Sequence, residues 1–66
     1  MTARQLTRLL RRRDCEVLRQ KGSHQIWRCG ECRTVVPIHT GDIPKGTLRS
    51  IERDLELCLG DKWLTR

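Results

Sequence analysis

The segment Arg19-Gln20-Lys21-Gly22-Ser23-His24 is the part of the sequence best equipped for chemistry. Imidazole exchanges a proton readily near neutral pH, so His24 is a candidate general acid or base. Arg19 and Lys21 would hold a phosphate beside it and oppose the extra negative charge of a phosphoryl transition state. Gly22 allows the tight turn that this segment needs. An isolated histidine is more often a surface or structural residue, so catalysis enters only as a hypothesis.

The second histidine, His39, follows the last predicted strand. It has two interpretations. It is an exposed loop residue, or it approaches His24 across a small sheet and forms an acid–base pair with it. The first interpretation is favoured, because few loop histidines are catalytic.

Four cysteines form the second candidate for chemistry. Cys29-Gly30-Glu31-Cys32 is half of a zinc-site pattern, and no second CxxC or CxxH completes it. Three interpretations stay open for this pair. It binds zinc together with His24, His39 or a second subunit, or it is a redox dithiol or a disulfide across the turn. The third interpretation, two thiols without a function, is favoured. Without a secretion signal, cysteines are interpreted as thiols or metal ligands before disulfides. Cys15 and Cys58 are expected to be small buried hydrophobes.

Length and charge set the class of protein. A chain of 66 residues is one small domain, which excludes a multidomain enzyme, a TIM barrel and a dinucleotide-binding fold. The net charge of +6 favours a polyanionic partner, most often a nucleic acid. No apolar run approaches the roughly 20 residues that span a bilayer, and the first residues have no apolar signal region. We therefore expect a cytoplasmic protein without a membrane segment.

Apolar periodicity predicts two helices and three strands. The helices cover residues 3–13 and 45 or 46 to 59, the strands cover 16–20, 24–28 and 33–38, and a tail at 61–66 folds back through Trp63 and Leu64. The order α-β-β-β-α predicts a two-layer α+β domain, in which a three-stranded antiparallel sheet carries both helices on one face.

Local signals mark the ends of these elements. Thr2 and Gln5 fit a capping box at the start of the first helix. Gly30 suits the first central position of a type II′ turn. Pro37 cannot donate a ladder hydrogen bond, so it should lie near a sheet edge or a strand end. Gly60 should end the second helix.

The sheet face without helices should be partly apolar. Ile26 stands beside Trp27, and Val35 beside Val36, so apolar residues occur on both faces of these strands. An exposed apolar face usually marks an interaction surface. We therefore expect a protein partner or a self-associated form such as a homodimer.

A resemblance to a known family joins two of these segments. Arg19 to His24, followed about twenty residues later by Pro44-Lys45-Gly46-Thr47-Leu48-Arg49-Ser50-Ile51, resembles the HicA toxin family of toxin–antitoxin modules over roughly residues 6–57. The resemblance implies a fold like that of a double-stranded-RNA-binding domain. It also implies an mRNA interferase, which cuts mRNA without the ribosome, and a HicB-like antitoxin that silences it.

The resemblance gives a role to one residue, His24, and our own mechanistic hypothesis adds roles for its neighbours. The functional histidine of the family corresponds to His24, which would act as general acid or base while the RNA 2′-hydroxyl attacks, with no metal and no cofactor. Around it, Arg19 and Lys21 would be electrostatic helpers, and Ser23 would orient the histidine or the phosphate. The N-terminus of the second helix would donate backbone N–H groups to another phosphate. The expected RNA-binding residues are therefore Arg19, Lys21, Gly22, Ser23, Lys45, Gly46 and Thr47.

The chain departs from the family at Cys29 and Cys32, because the corresponding turn in relatives is usually polar and lacks paired cysteines. Two rival functions stay open beside the ribonuclease. One is a non-catalytic RNA-binding module that recognises backbone shape. The other is a zinc-knuckle-like interaction domain organised by Cys29 and Cys32. In each case residues 1–66 form a single domain.

Overall fold

The computed structural model describes residues 1–65 and confirms the predicted α+β class. A three-stranded antiparallel sheet in the order β1-β2-β3 packs against the helices. The elements are α1 (Ala3–Arg12), β1 (Glu16–Lys21), β2 (His24–Cys29), β3 (Cys32–Pro37), α2 (Lys45–Asp54) and α3 (Glu56–Leu59). Arg66, the last residue of the predicted tail, lies outside the described residues.

Helix α1 begins as its sequence predicts. The Thr2 hydroxyl accepts a hydrogen bond from the Gln5 backbone N–H, and the Gln5 side chain accepts one from the Thr2 N–H. The predicted end at residue 13 is one residue too long, because Arg13 is the C-cap. The next residue, Asp14, has a positive φ of 63°, which turns the chain toward β1.

Two-residue turns join the three strands. Lys21 faces His24 across the first turn, and Cys29 faces Cys32 across the second. In both turns the first central residue is a glycine, Gly22 or Gly30, with φ of 60°. The second central residue, Ser23 or Glu31, does not have a positive φ. This is the requirement of a type II′ turn, so the expectation for Gly30 is confirmed. Pro37 ends β3, an edge strand, which is the predicted position.

The core lies between the helices and one face of the sheet. Its centre is Trp27, which is fully buried, with the Arg11 guanidinium 5.2 Å from its ring centroid. Around Trp27 pack the buried side chains of Leu6, Leu10, Val36, Ile51 and Leu55. Burying these apolar groups is the main favourable term in the stability of so small a domain.

The predicted second helix is interrupted. Leu55, fully buried, has φ of −104° and ψ of 4°, which ends α2 and starts the single turn α3. Gly60 ends α3 with φ of 99°, as predicted. The interruption matters for Cys58, which was expected on the buried stripe of one continuous helix. That expectation is wrong, because Cys58 is exposed at the rim of the domain.

The tail packs back onto α2, as its two apolar residues predict. Trp63 is buried, and its indole N–H donates to the Glu52 backbone carbonyl at 2.8 Å. The Leu64 backbone N–H donates to the Glu52 carboxylate at 3.1 Å. The tail therefore closes one end of the core.

All four cysteines are paired in disulfides, Cys15 with Cys29 and Cys32 with Cys58. The favoured interpretation as idle thiols is therefore wrong, and so is a bond between Cys29 and Cys32 themselves. Separation in the sequence does not predict these pairs, because the fold brings distant residues together. Strand pairing brings Cys15 to the end of β2, and α3 brings Cys58 to the start of β3. Among residues 1–65, no helix is long and apolar enough to cross a membrane.

Candidate active site

His24 is the first residue of β2 and follows directly after the Gly22–Ser23 turn. Side chains alternate along a strand, and Trp27 points into the core, so His24 and Ile26 project from the face without helices. Lys21 is the cross-strand partner of His24 and projects from the same face. Both side chains are exposed. We call this side of the sheet the open face.

A β-bulge brings a second cation to the open face. Val17 pairs with Trp27, but Arg19 pairs with Ile26, so β1 has one extra residue, Leu18. Without the bulge, Arg19 would have the same orientation as Val17 and would point toward the helices. With it, Arg19 and Lys21 both lie on the face that carries His24. No local signal in the sequence predicts this bulge, although Arg19, Lys21 and His24 were expected to lie together.

His39 is an exposed residue beyond β3, as favoured, and it also approaches His24. The two imidazole ring centroids are 6.3 Å apart and the ring planes are nearly perpendicular, at 86°. The contact is set by the backbone, because the Ile38 N–H donates to the Ser23 carbonyl at 2.6 Å. The chain leaving β3 is thereby held against the turn that carries His24.

Two glutamines brace this turn from the helix side of the sheet. The Trp27 indole N–H donates to the Gln25 side-chain carbonyl at 3.0 Å. The Gln25 side-chain amide donates to the Gln20 side chain at 3.0 Å, and the Gln20 amide donates to the Gly22 carbonyl at 2.9 Å. This ladder runs from the core to the turn. Sequence reasoning missed it, because only the register shows that Gln20 and Gln25 face each other.

Within residues 1–65, no carboxylate pairs with the cations beside His24. Among residues 1–65 the ion pairs are Arg28 with Glu16 at 2.6 Å, and the Met1 amino group with Asp42 at 3.5 Å. Arg28 is on the open face but at its other end, next to Glu16. Arg19 and Lys21 therefore present uncompensated positive charge to solvent beside His24.

The N-terminus of α2 contributes less to this surface than expected. Pro44 is its N-cap and supplies no side-chain hydrogen bond, so the first backbone N–H groups are not capped by a side chain. Thr47 lines a shallow groove at the β3 edge with Ile26 and Val35. Lys45 lines a different groove, between α2 and the tail. The predicted RNA-binding residues thus form two groups. Those in the hairpin, within residues 19–24, lie together, and of those in α2, Thr47 is next to the open face.

The chemistry available at this site is proton transfer beside positive charge. Two imidazoles lie together, and two cations stand on the same face. With all four cysteines in disulfides, no three His, Cys, Asp or Glu side chains within residues 1–65 form a group that could hold a metal ion. Acid–base chemistry on a phosphate ester fits this arrangement.

Comparison with known proteins identifies a family. The family model described as "HicA toxin of bacterial toxin-antitoxin" matches residues 3–57 of the 66-residue chain. The search of the curated proteins and the search of the solved structures found no match. The matched region contains the whole sheet, both histidines and helix α2. Because the match covers most of the chain, the protein belongs to the HicA toxin family of bacterial toxin–antitoxin modules.

Proposed function

We propose that this toxin is an endoribonuclease that cuts mRNA without a metal ion, with His24 as its central catalytic residue. The observation that carries the proposal is the exposed His24 imidazole at a tight turn, with Lys21 opposite it and Arg19 on the same face. The His24 imidazole, which can exchange a proton, thus lies beside positive charges that attract a phosphodiester and stabilise the negative charge that develops on it.

The reaction uses the nucleophile that RNA itself carries. His24 takes the proton from the 2′-hydroxyl, the O2′ atom attacks phosphorus, and the bond from phosphorus to O5′ breaks. The leaving O5′ takes a proton, and we assign His39, 6.3 Å away between ring centroids, as the donor. The products are a 2′,3′-cyclic phosphate and a 5′-hydroxyl. Lys21 and Arg19 balance the negative charge of the transition state.

The remaining contacts serve RNA binding. Gly22 and Ser23 form the turn that places His24, and Ser23 orients the histidine or the phosphate. The uncapped N–H groups at Lys45, Gly46 and Thr47 hold a phosphate further along the strand. Of these three residues, Thr47 lines the groove with Ile26 and Val35 at the β3 edge.

Membership of a toxin–antitoxin family implies an antitoxin partner. We assign a HicB-like protein to the open face, where Val35 is 47% exposed and stands beside the half-buried Ile26. Covering these residues would also shut His24 from RNA, because all three share one face. A homodimer through the same face is the rival occupant. Toxin, mRNA and antitoxin would meet in the cytoplasm.

The test is cleavage of a labelled transcript in EDTA by the native protein and by His24→Ala. The proposal expects shortened RNA with the native protein and intact RNA with the variant. Leu57→Ala is the matched control, because Leu57 is 97% exposed on α3 and should cut like the native protein. If both native and variant proteins retard RNA without cutting it, the chain is a non-catalytic RNA-binding module.

A further inference from the structure

All four cysteines meet at the end of the sheet opposite His24. Cys29 ends β2 and Cys32 begins β3, and they are cross-strand partners on the helix side of the sheet. Cys15 is bonded to Cys29, and Cys58 is bonded to Cys32. Along β2, His24 and Cys29 are about 17 Å apart, from a rise of about 3.3 Å per residue. The cysteines therefore form a cluster of their own, separate from the catalytic residues.

The proposed function conflicts with permanent disulfides, and this inference rests on that function. A protein that cuts mRNA works in a compartment where thiol reductants keep cysteines reduced. Each disulfide there takes two electrons from two small-molecule thiols, which leaves two cysteine thiols and one small-molecule disulfide. Cys58 is exposed and Cys32 is half-buried, so one bond lies within reach of a reductant. Reduction of both bonds leaves four thiols at one place.

We propose that these four cysteines, once reduced, bind one structural zinc ion. Zinc in structural sites takes four ligands in a tetrahedron, and Cys₄ is one of its preferred sets. Binding replaces the four thiol protons by one Zn²⁺ and releases four protons. No electron is transferred in this step. The site has no open position, so it stabilises the fold and takes no part in RNA cleavage.

The backbone already has the layout that this site needs. Cys29 and Cys32 supply two ligands from one tight turn, and Gly30 within it has φ of 60°. The Cys58 sulfur is 3.7 Å from the position that a Cβ on Gly30 would take, so α3 brings a third ligand against the turn. Cys15 brings the fourth, with its Cα 4.3 Å from that of Cys29.

The Cα separation within a bonded pair is compatible with zinc. The Cα atoms of Cys32 and Cys58 are 6.1 Å apart. Zn–S bonds of about 2.3 Å place tetrahedral sulfurs about 3.8 Å from each other. In the oxidised chain the sulfurs are bonded in two pairs, and no group of metal ligands is found among residues 1–65 in this state. Zinc and the two disulfides are therefore alternative states of the same four residues.

The experiment measures zinc in native protein purified under reducing conditions without added metal. We expect one zinc per chain by mass spectrometry of the metal, and four thiols that react only after the metal is released. Added Co²⁺ should give the absorption of a tetrahedral thiolate complex at one equivalent. Protein that keeps two disulfides through this preparation overturns the proposal. So does reduced protein that takes up neither metal.

Variants separate this site from the catalytic one. Cys58→Ser should weaken Co²⁺ binding by more than about tenfold, because even an outer hydrogen-bond partner of a ligand is worth about 10–100-fold. Leu57→Ser, one residue away and exposed, should bind Co²⁺ like the native protein. His24→Ala should also bind fully. Zinc without RNA cleavage overturns only the proposed function, and RNA cleavage without zinc overturns only the zinc site.

Discussion

The two hairpin turns of the sheet share one backbone geometry, but the side chains that flank them point to opposite faces of the sheet. Each has two residues and begins with a glycine at φ of 60°. The Gly22–Ser23 turn presents Lys21 and His24 to solvent. The Gly30–Glu31 turn presents Cys29 and Cys32 to the helices, where each is covalently tied to another part of the chain.

The difference comes from strand parity. Strand β2 has six residues, so its first and last side chains lie on opposite faces. His24 belongs to the open face, and Cys29 belongs to the face that packs on the core. One short strand thus separates the proposed catalytic site from the cysteine cluster. It follows that substitutions at the two ends should affect different measurements.

The largest expected effect is at the histidine end. His24→Ala should lower the rate of RNA cleavage by about 10²–10⁴-fold, which is the usual contribution of a general acid or base. Its unfolding free energy should stay within about 0.5 kcal/mol of native, because the side chain is exposed. Single-turnover cleavage and urea unfolding measure the two quantities. His39→Ala, tested in parallel, should also cut slowly, and full activity in that variant would remove His39 from the mechanism.

The next effect belongs to the cysteine end. The oxidised double variant Cys15→Ser/Cys29→Ser should lose about 3 kcal/mol of unfolding free energy, the value for a closed loop of about 15 residues. The bond it lacks spans 14 residues in the sequence. Urea unfolding without reductant measures the loss. With reductant and a chelator, native and variant proteins should unfold together, and a persisting difference would show that packing, not the bond, is responsible.

A smaller effect should follow from breaking the glutamine ladder. Gln25→Leu removes the acceptor of the buried Trp27 indole N–H, which should cost about 1–3 kcal/mol. The turn also loses its brace through Gln20, so RNA cleavage should slow while RNA binding persists. Chemical denaturation and a cleavage assay on folded protein test both parts. Native stability in this variant would mean that the indole finds another partner.

The smallest effect is electrostatic. RNA binding is measured in the His24→Ala background, so that the RNA stays intact. For single-stranded RNA, each phosphate contact contributes about 0.7 to the magnitude of the slope of log K, the binding constant, against log[salt]. Replacing Arg19 and Lys21 by Gln should therefore reduce the slope by about 1.4. Arg28→Gln is the matched control, because Arg28 lies on the same face but is paired with Glu16. An equal change in the control would mean that RNA binding does not favour the histidine end.

Local signals predicted most of the elements. The capping box at Thr2, the two turn glycines and Pro37 at a strand end each depend on a few neighbouring residues, and each is found as expected. Such features can be predicted because the physics that determines them lies within one or two turns of chain.

Long-range features escaped prediction. The bulge at Leu18 depends on how β1 pairs with β2, and the neighbouring Val17 gives no local signal for it. The partner of each cysteine depends on the whole fold, since the bonds span 14 and 26 residues. The break at Leu55 could not be predicted from residue type, because leucine itself favours a helix. His39 was placed after a strand correctly, but its distance from His24 needed the Ile38–Ser23 hydrogen bond.

One paired measurement tests the central claim that the two ends of the sheet act independently. Cleavage rate and the urea midpoint are measured for His24→Ala and for the oxidised Cys15→Ser/Cys29→Ser variant, at a temperature where both are folded. We predict that the first variant loses cleavage and keeps its midpoint, while the second keeps cleavage and loses its midpoint. Native cleavage by His24→Ala would contradict the account, and so would a joint loss of both quantities in either folded variant.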